Sequence, residues 1–218
     1  MNVDLAFLFR FLSSIMVITS VAIIELRDLR RSAYAYMLQS AILSADFSLI
    51  AMMTSEWHMY LWTVSSLVTK VLLVPKVLIW ATEKTGERIE VKPVLPLTVS
   101  FGFEGAIIIS LFLVAPFVFP SAESRFPSSI PISLVLFMIG IFGMLSRKCA
   151  LKQVLCLCHM ENGVHLFLAS LAYRSPMTVE IGILTDAIAA VVILLYMAIQ
   201  LKRVVGTLDT FKLSLLRW

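Results

Sequence analysis

The sequence predicts an all-α, polytopic membrane protein with seven transmembrane helices, its N-terminus outside and its C-terminus cytoplasmic. Three observations lead there. The 218-residue chain is 60% hydrophobic and only 15% charged, with a mean hydropathy of +0.94, whereas a water-soluble domain of this size carries more surface charge. The apolar stretches are apolar on every face for about 20 residues, enough for a helix to cross the hydrocarbon core, and lack the alternation of membrane β-strands. Thirteen of the eighteen Lys and Arg fall on one side of a seven-helix layout, and only Arg125 and Arg174 on the other. Cytoplasmic loops hold the excess of positive charge, which fixes the orientation and supports the helix count.

The first helix is expected over Leu5–Ile24, interrupted by Arg10; Asp4 in place of a basic leader region and the lack of an A-x-A site argue against a signal peptide. Arg27, Arg30 and Arg31 follow it. The second, Ala33–Met53, carries Gln39, Ser40 and Asp46; the third, Leu61–Ala81, carries Lys70 and Lys76, with Pro75 placed to kink it and free a carbonyl. The most polar stretch, 82–92, holds Lys84, Arg88 and Lys92. The fourth helix, Val94–Phe117, contains Glu104, and the fifth, Ile130–Leu145, is short and starts after Pro127 and Pro131. Arg147, Lys148 and Lys152 separate it from the sixth, Gln153–Tyr173, with His159, Glu161 and His165. The seventh, Ile181–Leu201, contains Asp186 and leads to the basic tail. Trp57, Tyr60, Trp62, Trp80 and Tyr173 suit headgroup depth. The chain divides into a three-helix part, 1–93, and a four-helix part, 94–218.

Charges inside apolar helices carry the functional signal, because each costs about 2.5–3.5 kcal/mol on insertion scales and marks an ion pathway by default. Glu161 and His165 stand four residues apart on one helix face, where they can share or relay a proton or serve only as a packing pair. Lys70 and Glu104, on consecutive helices, are expected to meet as a neutralised couple, either a proton carrier or a static salt bridge. Asp186 has no evident partner and suits proton uptake or release. Arg10 and Asp46 share a depth and are expected to pair structurally, while Lys76 lies nearer the cytoplasmic end and snorkels. Gln39 and Ser40 supply polar contacts between helices.

Other chemistry finds little support. Cys156, Cys158 and His159 point in different directions on one helix and lack a second ligand pair, so no metal site is expected. Cys149, Cys156 and Cys158 read as structural thiols. No phosphate loop, dinucleotide fingerprint or nucleophile elbow is present, so neither catalytic residues nor a bound cofactor are expected. The net charge of +4 comes from loops that orient helices and implies no nucleic acid. The halves show no internal repeat of the kind found in transporters.

The stretch Ser146-Arg147-Lys148-Cys149-Ala150-Leu151-Lys152-Gln153-Val154-Leu155, followed by Met160-Glu161-Asn162-Gly163, resembles the basic loop and E-N-G helix of the hydrogenase-4 component E family. Arg30-Arg31 leading into Leu38-Gln39-Ser40 is similar to that family's second helix, and chain length and helix number match along the whole chain. The region of about 130–201 is similar to the three-helix subunit K of complex I and to the small C subunit of multisubunit cation/proton antiporters. The resemblance implies that Glu161 matches a membrane carboxylate implicated in proton transfer and that Asp186 takes an acidic position on the last helix. It also implies a non-catalytic subunit of a group 4 hydrogenase-like or formate hydrogenlyase-like complex in a prokaryotic inner membrane. Its partners would be an antiporter-like large subunit and other complex I-like membrane subunits, and through them peripheral iron–sulfur and hydrogenase-like subunits. A cation/proton antiporter subunit and a purely structural scaffold are the competing readings.

Overall fold

The computed structural model describes residues 3–120, 126, 128–173 and 177–212, with side chains from 4 onward except those of 177–184, 186 and 187. Arg125, Arg174 and the side chain of Asp186 lie outside that set. The described residues form seven long helices: α1 (Val3–Glu25), α2 (Leu29–Thr54), α3 (His58–Thr85), α4 (Leu97–Val118), α5 (Ser129–Ser146), α6 (Ala150–Leu171) and α7 (Met177–Val205). Each contains a segment long and apolar enough to cross a membrane, as the hydropathy pattern predicts. No strand occurs among the described residues, only two isolated bridges between links.

Four helices make the centre. α1 packs on α2 and α5, and α6 packs on α5 and α2. The tightest contact, α5 on α6, depends on two glycines. A methyl group at Gly163 would stand 2.7 Å from both the Ser133 carbonyl oxygen and the Phe137 nitrogen, and one at Gly140 would meet Met160 Cβ at 2.7 Å. Small residues of this kind let helix backbones approach in lipid, where no hydrophobic force drives them together. α3 flanks α2, and α7 flanks α6 and the last part of α3. α4 lies outside on α5 and α1, with only Ser100, Glu104 and Ala115 buried.

The apolar interior falls mainly into two clusters, with a small third one at Ala115 and Ile130. One cluster joins Ile24, Leu29, Tyr36, Leu78, Ile139 and Leu155; the other joins Phe9, Met16, Leu43, Trp62, Leu136 and Leu166. On α1, α2, α3 and α6 the residues between these clusters are polar and buried: Ser20, Gln39, Ser40, Ser66, Lys70, His159, Asn162 and His165. A polar belt thus crosses the middle of an apolar bundle.

α3 changes its winding where it meets this belt. Residues Leu67–Leu73 are π-helical, with the Val74 N–H bonded to the Thr69 carbonyl. Pro75 has no N–H with which to continue the ordinary ladder, so the turn before it widens instead of kinking freely. Lys70 is the buried residue of that wide turn.

At the basic end of the bundle the links are joined by backbone hydrogen bonds. Asp28 starts α2 by accepting from the N–H groups of Arg30 (2.9 Å) and Arg31 (3.3 Å). The Leu29 N–H donates to Arg88 and the Glu90 N–H to Arg27, while the Ala150 N–H donates to Leu208 and the Thr210 N–H to Lys148. The two bridges, Asp28 with Ile89 and Cys149 with Asp209, have nearly the same sequence separation. Each joins the N-cap of a unit's middle helix to the segment after its third helix, and the two N-caps share an extended backbone (φ −78°, ψ 113° and φ −77°, ψ 120°). The α1–α2–α3 and α5–α6–α7 units therefore repeat one backbone plan in the same direction, with α4 inserted between them. The sequence conceals this repeat because the same device is built from different side chains.

Candidate functional site

The belt is organised around Lys70 and Asn162. Lys70 is 2% exposed, and its ammonium donates to Asn162 Oδ1 at 3.0 Å and lies 2.9 Å from His165 Nδ1. The Asn162 amide donates to Gln39 Oε1 (3.2 Å) and Ser40 Oγ (3.1 Å). Gln39 Oε1 also meets His159 Nδ1 at 2.8 Å, while the Gln39 amide donates to the Met16 carbonyl and to Ser20 Oγ, each at 3.0 Å. α1, α2, α3 and α6 are thereby joined by buried hydrogen bonds around one lysine.

His165 Nδ1 has two neighbours and one in-plane position. Besides Lys70 Nζ it faces the Glu161 carbonyl oxygen at 2.8 Å. With a lone pair on Nδ1 the ring accepts from the lysine ammonium; with a proton on Nδ1 it donates to the carbonyl. Moving one proton from Lys70 to His165 exchanges these two arrangements without moving a heavy atom far. Nε2 of His165 and Nε2 of His159 are both buried without a partner.

The pairs expected from the sequence are not the pairs that form. Glu161 does not bond His165 through its carboxylate; only its backbone oxygen reaches the ring. Its side chain is half-buried and makes no hydrogen bond or ion pair among the described residues, although its charge acts on Lys70 from nearby. Lys70 does not meet Glu104, because the 86–96 link carries the chain across the basic end and sets α4 against α5 and α1, away from α3. Arg10 does not neutralise Asp46: Arg10 is exposed, while Asp46 is fully buried and accepts from Ser13 Oγ at 2.8 Å. Lys76 is exposed at the flank of α3. Asp186 lies in the first half of α7, with its side chain outside the described residues.

Glu104 belongs instead to a second buried group near the basic end. Arg147 donates through Nη2 to Glu25 Oε1 at 2.5 Å and through Nη1 to Glu90 Oε1 at 2.9 Å. Ser100 donates to the same Glu25 oxygen. Lys152 donates to the Leu26 carbonyl at 2.6 Å and to Ser32 Oγ at 2.7 Å, and stands 3.8 Å from Glu90 Oε2. Burial pushes the Glu90 carboxyl above its ordinary range, with Lys152 and Arg147 offsetting only part of that effect. Burial works against the Arg147 charge too, but Glu25 and Glu90 prevail and hold it above its usual value.

Sequence reasoning missed Asn162, His159, Glu25, Glu90, Arg147 and Lys152 as site residues. His159, Asn162 and His165 recur at three-residue spacing along one flank of α6, a signal the search for paired charges passed over. The Arg147 group is assembled from links distant in sequence and leaves no local pattern.

Comparison with known proteins agrees with the sequence resemblance. Hydrogenase-4 component E of Escherichia coli strain K12 is 33% identical over 207 residues, covering 94% of this chain and 95% of the relative; the same holds for hydrogenase-4 component E of Shigella flexneri. The chain belongs to the hydrogenase-4 component E family. An uncharacterised protein of Mycobacterium tuberculosis is 24% identical over 218 residues, covering 99% of each chain. The family model for NADH-ubiquinone/plastoquinone oxidoreductase chain 4L matches residues 129–218. No solved structure matches. In this component E homologue, Asn162 and His165 thus come from the stretch shared with chain 4L, and Lys70 and Gln39 from the stretch before it.

Proposed function

We propose that this chain is a non-catalytic membrane subunit of a group 4 hydrogenase-like or formate hydrogenlyase-like complex that helps couple electron transfer to proton translocation. Family membership and the chain 4L match support the coarser statement, a membrane subunit of a complex I-like assembly. The positive-inside rule supports an outside N-terminus and a cytoplasmic C-terminus in the inner membrane, with the basic end facing the cytoplasm. An antiporter-like subunit and other complex I-like membrane subunits are the proposed neighbours, and peripheral iron–sulfur and hydrogenase-like subunits the source of electrons.

One observation carries the proton role: a buried lysine at mid-bundle within hydrogen-bond distance of an imidazole nitrogen that also faces a backbone carbonyl acceptor. A purely structural belt needs no group that titrates. Glu161 and Asp186 continue the proposed path on α6 and α7, and Glu104 supplies its cytoplasmic side.

The test is the complex purified through this chain and reconstituted in vesicles. His165→Gln preserves an acceptor for Lys70 but not a titrating ring. It should keep peripheral electron transfer to artificial acceptors and lose proton pumping, and Glu161→Gln should weaken pumping as well. Full pumping in both variants would leave a scaffold. Recovery of the chain with antiporter subunits alone would assign it to a cation/proton antiporter.

A further inference from the structure

The group around Arg147 does not balance its charge. Three carboxylates, Glu25, Glu90 and Glu104, face two buried cations, Arg147 and Lys152. Every element packed against the group contributes: Glu25 from the end of α1, Glu90 from the 86–96 link, Ser100 and Glu104 from α4, Arg147 from the α5–α6 link and Lys152 from α6. The thiols of Cys149 and Cys156 border it without adding charge. Arg27 also acts on Glu90, but from an exposed position where solvent screens it.

The two cations are used on other members. Both guanidinium ends of Arg147 go to Glu25 and Glu90, and Lys152 is bonded to Leu26 and Ser32 beside Glu90. Glu104 is 1% exposed, and neither of its carboxylate oxygens has a donor. It faces Glu25, whose Oε1 already accepts from Arg147 and Ser100. Two ionised carboxylates facing each other out of water repel, with no hydrogen available between them. One proton on either removes the excess charge and turns the contact into an O–H···O bond.

We infer that this cluster is a proton-binding site, with one exchangeable proton shared between the facing carboxylates of Glu25 and Glu104. Glu25, its side chain 8% exposed, is the member through which the proton exchanges with water. The site deepens the translocation reading, on which it rests only for its role as the uptake station on the cytoplasmic side. Proton occupancy itself is independent of pumping, so the two ideas fail separately.

The test is infrared difference spectroscopy on the purified complex during a pH titration, reading the C=O stretch of protonated carboxyl groups. The wild-type complex should show a band that shifts in heavy water, shifts with carboxyl-labelled glutamate and vanishes on alkalinisation. Glu104→Gln should abolish it. Glu25→Gln should abolish it equally, since removing that negative charge lets Glu104 ionise beside Arg147. A band that survives Glu25→Gln would mean that Glu104 holds its proton alone, and would overturn the shared site. A band that survives both variants would show that its proton lies elsewhere and would overturn the site. Absence of the band in the wild type, with carboxylate bands that follow sodium concentration instead, would replace the proton by a metal cation. A wild-type complex that shows the band but pumps no protons would sink the translocation reading and leave the site standing.

Discussion

Replacing Lys70 separates a shuttle from a structural charge. Lys70 makes two polar contacts, at 3.0 Å to Asn162 Oδ1 and 2.9 Å to His165 Nδ1. In Lys70→Met, His165 can turn its proton to the Glu161 carbonyl, so only Asn162 Oδ1 is orphaned, at about 1–3 kcal/mol. Relief from burying an ammonium opposes this by several kcal/mol before pairing is counted. The two effects nearly cancel, so the assembled complex should melt within a few degrees of wild type. Lys70→Arg keeps the positive charge and the donors but cannot release a proton at any physiological pH. Both variants should assemble, retain electron transfer to artificial acceptors and lose proton pumping in vesicles. Pumping at the wild-type rate in Lys70→Arg would refute the shuttle, because a charge that never leaves would then suffice.

Three further outcomes test the framework around that lysine. Asn162→Leu removes one of the partners of each of Lys70, Gln39 and Ser40 and should destabilise the complex by about 1–3 kcal/mol, read as earlier thermal unfolding in detergent. Gly163→Ala should cost about 1–3 kcal/mol by overpacking α5 against α6 and lower the yield of assembled complex, whereas Gly105→Ala on α4, with nothing within 4 Å of the added methyl, should be neutral. Asp28→Ala should cost about 1 kcal/mol through loss of the α2 cap. Burial opposes the Asp28 charge, but the N–H groups of Arg31 and Arg30 and the Arg88 guanidinium outweigh it and hold the carboxyl below its ordinary range. Its contribution is therefore fully present above the ordinary carboxylate range and fades as pH falls through the depressed value, and Asp28→Ala should remove that part of the acid sensitivity.

The seven helices were legible because hydropathy is set by the solvent. Every residue in a span meets lipid or another helix, so each stretch declares itself without knowledge of its neighbours. Partnership was not legible. Lys70 and Glu104 occupy consecutive spans, and adjacency in sequence is a fair guide to adjacency in space, yet the link at 86–96 moves α4 to the far side of the centre. Arg10 and Asp46 share a depth but not a face, since Ser13 rather than Arg10 turns inward on α1. Neutral residues gave a partial signal: Gln39 and Ser40 were legible as contacts between helices, but Asn162 bears no charge, and a search for ion pairs passes over the amide that connects Lys70 to them.

The two buried polar groups are chemically different, and the difference suits a path with direction. The belt at mid-bundle presents one cation among amides, hydroxyls and imidazoles, with Glu161 half-buried at its edge. The group at the basic end holds more carboxylates than buried cations and sits beside exposed Arg27 and the stitched links. A proton is stabilised where negative charge exceeds positive and is driven off where positive charge is already buried. On the proposed reading, the carboxylate-rich group at the basic end is the one that takes protons up, and the belt built on a lysine is the one that releases them. Moving a proton between them needs a change in the charge of one group, which the proposed function assigns to electron transfer in a neighbouring subunit. The belt cannot change one bond alone, because Asn162 and Gln39 each serve several partners. Its rearrangements are therefore shared among four helices, so a change at Lys70 is felt by α1, α2, α3 and α6 together.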